Sequence, residues 1–149
     1  MEHFGDQKYY TAMGRALSGK KNPIYEELER TWNDYAYTIF VQGTVGLGPK
    51  SRPTNKMFEE AGNYFKRLLE EIRPLKVVVT GKTMWSHMPF CTGPHLCDDL
   101  QAYKLTNGTL VWCLAVPHPA NRKKEQGFQW EWVGENIRTF RSIKFPLRD

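Results

Sequence analysis

The sequence predicts a single α/β domain, spanning residues 1–149, around a small parallel sheet. Three short segments are almost continuously apolar and rich in β-branched residues, which is typical of strands covered on both faces. They are Tyr35–Gly43, Leu75–Gly81 and Leu110–Val116. Amphipathic helical patterns separate these segments, and such alternation favours parallel strands joined by right-handed crossovers. No linker or repeat divides the chain, which is long enough for one continuous core.

The helices are predicted from apolar spacing and from residues that start or stop a helix. The clearest one is capped by Thr54, keeps an apolar stripe through Ile72 and stops before Pro74. An Asn107-Gly108 turn precedes the last strand. The remaining predicted helices cover Tyr9–Leu17, Asn22–Arg30, Lys82–His87 and Trp130–Phe140.

Composition indicates an intracellular protein with a basic surface. Lysine and arginine number 21 against 16 aspartate and glutamate, which gives a net charge of +5 and makes polyanions such as DNA plausible partners. Three cysteines are too few for a disulfide framework and agree with a reducing compartment. The amino-terminal residues lack the features of a secretory signal, and no apolar run is long enough to span a membrane. We expect a cytoplasmic location.

His118 is the first candidate for chemistry. It follows the strand Leu110–Val116 and lies between two prolines, which fix the backbone on both sides and stiffen the turn. In α/β sheets, ligands bind beyond the carboxyl ends of the strands. An imidazole there could donate a hydrogen bond to a developing anion or carry a proton. The alternative is a structural turn whose histidine bonds only to backbone.

Basic and polar residues are predicted along the same edge as His118. Arg122, Lys123 and Lys124 could bind phosphates, although a solvated charge run is the more common meaning of such a stretch. The loop "GTVGLGPKS" nearly matches a phosphate-binding loop, but Pro49 removes a donor and shifts the lysine out of register. Its glycines better suit close approach of a DNA backbone. The full candidate nucleic-acid-binding set is Gln42, Lys50, Arg52, Lys82, Asn121, Arg122, Lys123 and Lys124.

Four possible zinc ligands lie close together in the sequence: His87, Cys91, His95 and Cys97. Structural zinc sites usually come as paired knuckles, and this spacing matches none of them well. We therefore expect an ordinary loop, with no metal and no cofactor. Motifs for a serine nucleophile or a zinc hydrolase are also missing from the sequence.

Three segments, taken in order, resemble the uracil-DNA glycosylase superfamily, and in particular glycosylase-like bacterial members. They are "TWNDYAYTIFVQGTVGLGPKSRPT", "PLKVVVTGKTMW" and "AVPHPA". The resemblance implies a three-layer α/β fold with four parallel strands in the order 2-1-3-4. It also implies hydrolysis of the N-glycosidic bond of a base flipped out of DNA. His118 would stabilise the negative charge on the departing base, and Pro119–Lys124 would press on the minor groove.

Two departures from this family pattern bear on activity. The first strand, whose polar side chain positions the attacking water, is expected to be missing or replaced. The residue that reads the base is typically asparagine, and its place is taken here by Ile39, which follows Thr38. Loss of both groups should lower the excision rate by several orders of magnitude. A missing central strand also predicts a homodimer or a partner protein that completes the sheet.

The sequence leaves three functions open, and we favour the first. It is a degenerate glycosylase-like domain that binds DNA or a DNA-processing partner without efficient base excision. The second is an active DNA N-glycosylase that removes uracil or a damaged base through His118 and a carboxylate such as Asp34. The third is a non-enzymatic interaction scaffold from a mobile element. A steep fall of DNA affinity with salt would separate the DNA-binding functions from the third.

Overall fold

The computed structural model describes residues 4–40, 52–121 and 127–149. Five helices and four strands occur within these ranges, and none of the described helices is long and apolar enough to cross a membrane. The helices are α1 (Phe4–Ser18), α2 (Tyr25–Asn33), α3 (Asn55–Ile72), α4 (Lys82–Ser86) and α5 (Trp130–Ser142). The strands are β1 (Lys76–Thr80), β2 (His95–Cys97), β3 (Leu100–Lys104) and β4 (Leu110–Val116).

Helix ends follow the local chemistry of the sequence. The predicted cap of α3 is confirmed, because the Thr54 hydroxyl accepts a hydrogen bond from the Met57 backbone N–H at 3.2 Å. Arg73 then ends the helix in a left-handed conformation, with φ of 52°. Helix α2 starts later than predicted, since Ile24 is extended and acts as the N-terminal cap.

The α/β class is confirmed, but the sheet is mixed and the expectation of an all-parallel sheet is wrong. The strand order is β1-β4-β3-β2, with β1 parallel to β4 and the other two pairs antiparallel. The cause is a hairpin that the sequence prediction overlooked. Leu105 and Thr109 pair across a tight turn in which Gly108 has φ of +85°, so β3 must return antiparallel to β4.

The predicted strand Tyr35–Gly43 is also wrong over the part that the structure describes. Residues 35–40 form no strand, and residues 41–43 lie outside the described ranges. The side chains of this segment pack into the helical layers instead. The Tyr35 hydroxyl accepts a hydrogen bond from Arg141 near the end of α5, whereas Phe40 packs against Phe65 of α3. The segment thus contacts both helical layers.

The helices and the sheet form three layers, as the resemblance implied, and the core lies between them. Helices α1 and α5 cover one face of the sheet, where Met13, Val133 and Ile137 pack with Val116. Helix α3 covers the opposite face, where Phe65 and Leu69 pack with residues of β3 and β4. Strand β4 is the most buried element, and Leu110, Val111 and Cys113 are fully inaccessible to solvent.

Helix α1 is held close to α5 by a glycine. A Cβ atom built on Gly134 would lie only 2.2 Å from the carbonyl oxygen of Ala16, so the two backbones approach more closely than any side chain would allow. Arg138, one turn further along α5, donates a hydrogen bond to the same carbonyl at 3.2 Å. This contact fixes the position of α1, which extends to the carboxyl end of the sheet.

The side of β1 away from β4 is called here the outer edge of β1, defined by the backbone groups of Lys76, Val78 and Thr80. Leu75 accepts from Trp112 and Gly81 donates to Val116, so the odd-numbered residues of β1 face β4. The alternate residues face away, and no strand pairs with them within the described residues. The Lys76 side chain donates to three carbonyl oxygens at the end of α5, at 2.6–2.8 Å.

Candidate functional site

The carboxyl ends of β1 and β4 meet at one edge of the sheet and bring Gly81 next to His118. Thr80 is in register with Val116, and the Gly81 backbone N–H donates to the Val116 carbonyl at 2.8 Å. Gly81 has φ of +104°, and a Cβ atom placed on it would lie 3.5 Å from the His118 Cβ. The Gly81 and His118 segments therefore share one edge of the sheet, as parallel pairing of these strands predicts.

Local hydrogen bonds select one form of the His118 ring. Its Nδ1 accepts a hydrogen bond from the Ala120 backbone N–H at 3.0 Å, so the proton of the neutral ring is on Nε2. The His118 carbonyl also accepts from the Asn121 N–H, which closes the turn. Partial burial lowers the pKa of the His118 imidazole below its usual value. At neutral pH the site thus presents an uncharged ring whose Nε2–H can donate.

An aromatic cluster, which the sequence prediction did not identify, lies beside His118. It consists of Tyr9 and Tyr10 from α1, Trp32 from α2 and Tyr37 from the segment that follows α2. The Tyr9 ring lies 5.8 Å from the His118 ring and 5.5 Å from the Tyr37 ring, measured between centroids. The two adjacent tyrosines of α1 are a sequence signal for this cluster, but a weak one, because most aromatic residues belong to the core.

Tyr9 also joins α1 to the end of β1. Its hydroxyl lies 3.2 Å from the Thr80 hydroxyl, one residue before Gly81. Burial raises the pKa of Tyr9, so this phenol stays protonated and can act as a hydrogen-bond donor or acceptor, but not as a charge. The wall next to His118 is therefore aromatic and uncharged.

The predicted nucleic-acid-binding residues fall into two groups, those that the structure describes and those outside the described ranges. Lys82 is exposed as the first residue of α4, directly after Gly81, and Arg52 is exposed two residues before the cap of α3. Asn121 is partly buried in the turn that follows His118. The structure thus places Lys82 and Asn121 at the His118 edge. The other predicted contacts lie outside the described residues: Gln42, Lys50, Arg122, Lys123 and Lys124.

The four possible zinc ligands are engaged in other ways or point to solvent. The His87 ring stacks on Phe58 at 3.7 Å between centroids, and its Nδ1 lies 2.8 Å from the Thr83 carbonyl oxygen. The Cys91 thiol donates to backbone carbonyls, whereas His95 and Cys97 are exposed on β2. Within the described ranges, no group of three or more His, Cys, Asp or Glu side chains is placed to hold a metal ion.

Two residues that the sequence connected with activity, Ile39 and Asp34, are exposed. Ile39 is 60% exposed, on the segment whose Thr38 hydroxyl lies 3.3 Å from the Tyr64 hydroxyl of α3. Asp34 is the C-terminal cap of α2 and is exposed. Among the described contacts, none joins a carboxylate to His118, so the arrangement provides a hydrogen-bond donor and an aromatic wall.

Comparison with known proteins agrees with this architecture. The family model described as the uracil DNA glycosylase superfamily matches residues 5–136, which is most of the chain. No curated protein and no solved structure gives a significant match. The match spans every described helix and strand except the first residue of α1 and the last turns of α5, and it includes the His118 turn and the Gly81 segment. The chain belongs to the uracil-DNA glycosylase superfamily.

Proposed function

We propose that this glycosylase-like domain binds DNA and excises bases inefficiently or not at all. The observation that supports DNA binding is the neutral His118 ring. Ala120 bonds to Nδ1 of this ring and not to its Nε2–H, and the same edge of the sheet carries the exposed Lys82. A neutral donor suits the carbonyl oxygen of a pyrimidine, and an exposed cation suits the adjacent phosphate. The surplus of five positive charges supports the same partner.

The expectation of inefficient base excision rests on two groups that hydrolysis needs. Cleavage of a glycosidic bond needs a positioned water, and an amide side chain is the usual reader of the base in this family. By the resemblance, Ile39 stands in the place of that amide, and its side chain has no polar atom with which to read a base. No carboxylate among the described residues contacts His118, so the described part of the site contains no partner for the water. Binding without turnover is the function that fits both absences.

A combined binding and excision assay tests the proposal. Purified protein is mixed with single-stranded and double-stranded DNA that carries one uracil, and with undamaged DNA of the same sequence. We expect binding that weakens steeply as salt is raised, without appreciable release of uracil. Enzyme-like release of uracil would refute the degenerate function, and lack of binding at low salt would refute DNA recognition.

An active DNA N-glycosylase is the second candidate, and the Nε2–H donor of His118 favours it. A donor held at the end of the sheet can stabilise the negative charge that develops on a departing base. If this candidate is right, His118→Gln lowers the excision rate by about 10²–10³-fold, the usual cost of removing one such donor. An unchanged excision rate in the His118→Gln variant would refute this candidate function.

The outer edge of β1 supports a further part of the proposal, namely that a second copy of the chain pairs there. The backbone groups of Lys76, Val78 and Thr80 include donors and acceptors that no described strand satisfies. An unpaired edge is a template for another strand, and two copies of one edge are self-complementary about a two-fold axis. A melting temperature that rises with protein concentration would support the dimer. A constant melting temperature together with a monomer mass would refute it.

A further inference from the structure

Tyr37 has an unusual environment for a surface tyrosine. The residue is 47% exposed, yet its ring is packed against the other three members of the aromatic cluster. The centroid distances are 5.5 Å to Tyr9, 5.6 Å to Tyr10 and 6.2 Å to Trp32. Such edge-to-face and tilted contacts hold the ring in one orientation, while the residue as a whole remains exposed to solvent. Tyr37 is therefore a rigidly held and partly exposed aromatic residue.

Tyr25 provides the internal comparison. It is 75% exposed on α2, and no aromatic contact of its ring is found within the described residues. That is the ordinary state of a surface tyrosine, which loses conformational entropy when a ligand immobilises it. Tyr37 has already lost most of this freedom through its ring contacts, so a flat ligand can stack on it at a lower entropic cost.

The position of Tyr37 indicates what kind of flat ligand it receives. Tyr9 contacts both the Tyr37 ring and the His118 ring, so the exposed aromatic surface and the Nε2–H donor belong to the same edge of the sheet. Lys82 supplies a positive charge at that edge. An aromatic face next to a cation is the arrangement that binds single-stranded nucleic acid, where the base stacks and the phosphate pairs with the cation.

We propose that Tyr37 is a stacking platform for an unpaired base of single-stranded DNA, adjacent to the base that faces His118. This inference rests on the proposed binding of DNA and adds a preference for unpaired strands. Stacking uses the π-face that every base has, so the platform discriminates single strands from duplexes, in which both faces of each base are covered. It does not require excision, because stacking of a neighbouring base breaks no bond.

The test measures binding of three fluorescent probes: a short oligothymidylate, an abasic oligonucleotide of equal length and a duplex of equal length. Tyr37→Leu should weaken oligothymidylate binding by about tenfold, which corresponds to 1.4 kcal/mol. The same substitution should leave abasic binding unchanged, because the phosphates remain. Tyr37→Phe and Tyr37→Trp should retain the affinity for oligothymidylate, since the ring and not the hydroxyl does the stacking.

Tyr25→Leu is the matched control and should bind all three probes like the wild type. Thermal melting of each variant checks that the aromatic cluster stays folded, and Tyr37→Phe serves as the reference if Tyr37→Leu melts early. Equal affinity of wild type and Tyr37→Leu for oligothymidylate would overturn the stacking platform while DNA binding stands. An equal loss on the abasic probe would also overturn it. Wild type that binds none of the probes would refute the proposed function, and this inference with it.

Discussion

The close contact between α1 and α5 makes a quantitative prediction for Gly134→Ala. Alanine is favoured over glycine inside a helix by about 1 kcal/mol, so propensity alone would stabilise the variant. The new Cβ, however, would lie 2.2 Å from the Ala16 carbonyl oxygen and 3.0 Å from its carbon. Both are backbone atoms that cannot rotate away, so α1 must move outward by about 1 Å to reach ordinary contact. Overpacking of this kind costs about 1–3 kcal/mol, and the displacement also disturbs the Arg138 hydrogen bond.

The overpacking cost, together with about 1 kcal/mol for the disturbed Arg138 hydrogen bond and less the propensity gain of about 1 kcal/mol, gives a net loss of about 1–3 kcal/mol in the free energy of unfolding. At this chain length each kcal/mol lowers the melting temperature by about 2–4 °C, so a fall of about 2–12 °C is expected in a thermal melt. Gly62→Ala is the matched control in α3. Its Cβ would meet two side-chain atoms of Pro89, at 3.4 and 3.8 Å, and this variant should gain stability by up to about 1 kcal/mol.

A Gly134→Ala protein as stable as the wild type, beside a stabilised Gly62→Ala protein, would refute the close packing of the two helices. The packing also matters for the site, because α1 carries Tyr9 to the His118 ring. Displacement of α1 should therefore weaken DNA binding as well as stability. A destabilised variant with unchanged affinity would separate the two effects.

Three other substitutions test β1 and the His118 edge of the sheet. Because the pKa of His118 is lowered from 6.5, the unfolded chain binds more protons just below that pH, and the free energy of unfolding should fall as the pH drops through this window. Denaturation series with His118→Gln should show a smaller fall, and identical slopes would contradict this. Gly81→Ala places a side chain at φ of +104° and should lower the free energy of unfolding by about 1–3 kcal/mol, as followed by thermal melting. No loss would argue against the positive φ at Gly81. Lys76→Met removes the donor to three carbonyls at the end of α5 and should cost about 1 kcal/mol, compared with no more than about 0.5 kcal/mol for the exposed Lys66→Met. Equal losses in these two variants would refute the role of Lys76 at the end of α5.

The helices and two of the strands could be predicted from sequence because their signals are local. Thr54 and Pro74 bracket α3, and the apolar runs of β1 and β4 have no competing pattern. The shared edge of Gly81 and His118 followed from parallel pairing of these two strands, and the structure has that pairing. These are the features for which local propensity and tertiary packing agree.

The segment after α2 shows why local signals were insufficient elsewhere. Tyr35, Tyr37 and Phe40 have high strand propensity, but their rings pack against α5, the aromatic cluster and α3. Strand propensity measures how well a side chain fits a half-buried surface, and these surfaces are provided by helices. The same reasoning explains why the aromatic cluster was missed: its members come from three separate segments, and no spacing rule connects them.

The hairpin between β3 and β4 determines the order in which the sheet can assemble. Only the residues of a tight turn separate its strands, so its ends meet within microseconds, whereas β1 must close a much longer loop before it can pair with β4. The hairpin can therefore form early and present the free side of β4 as the template on which β1 docks late. Amide hydrogens of β1 should then exchange with solvent faster than those of β4, and the His118 edge should form only when β1 docks.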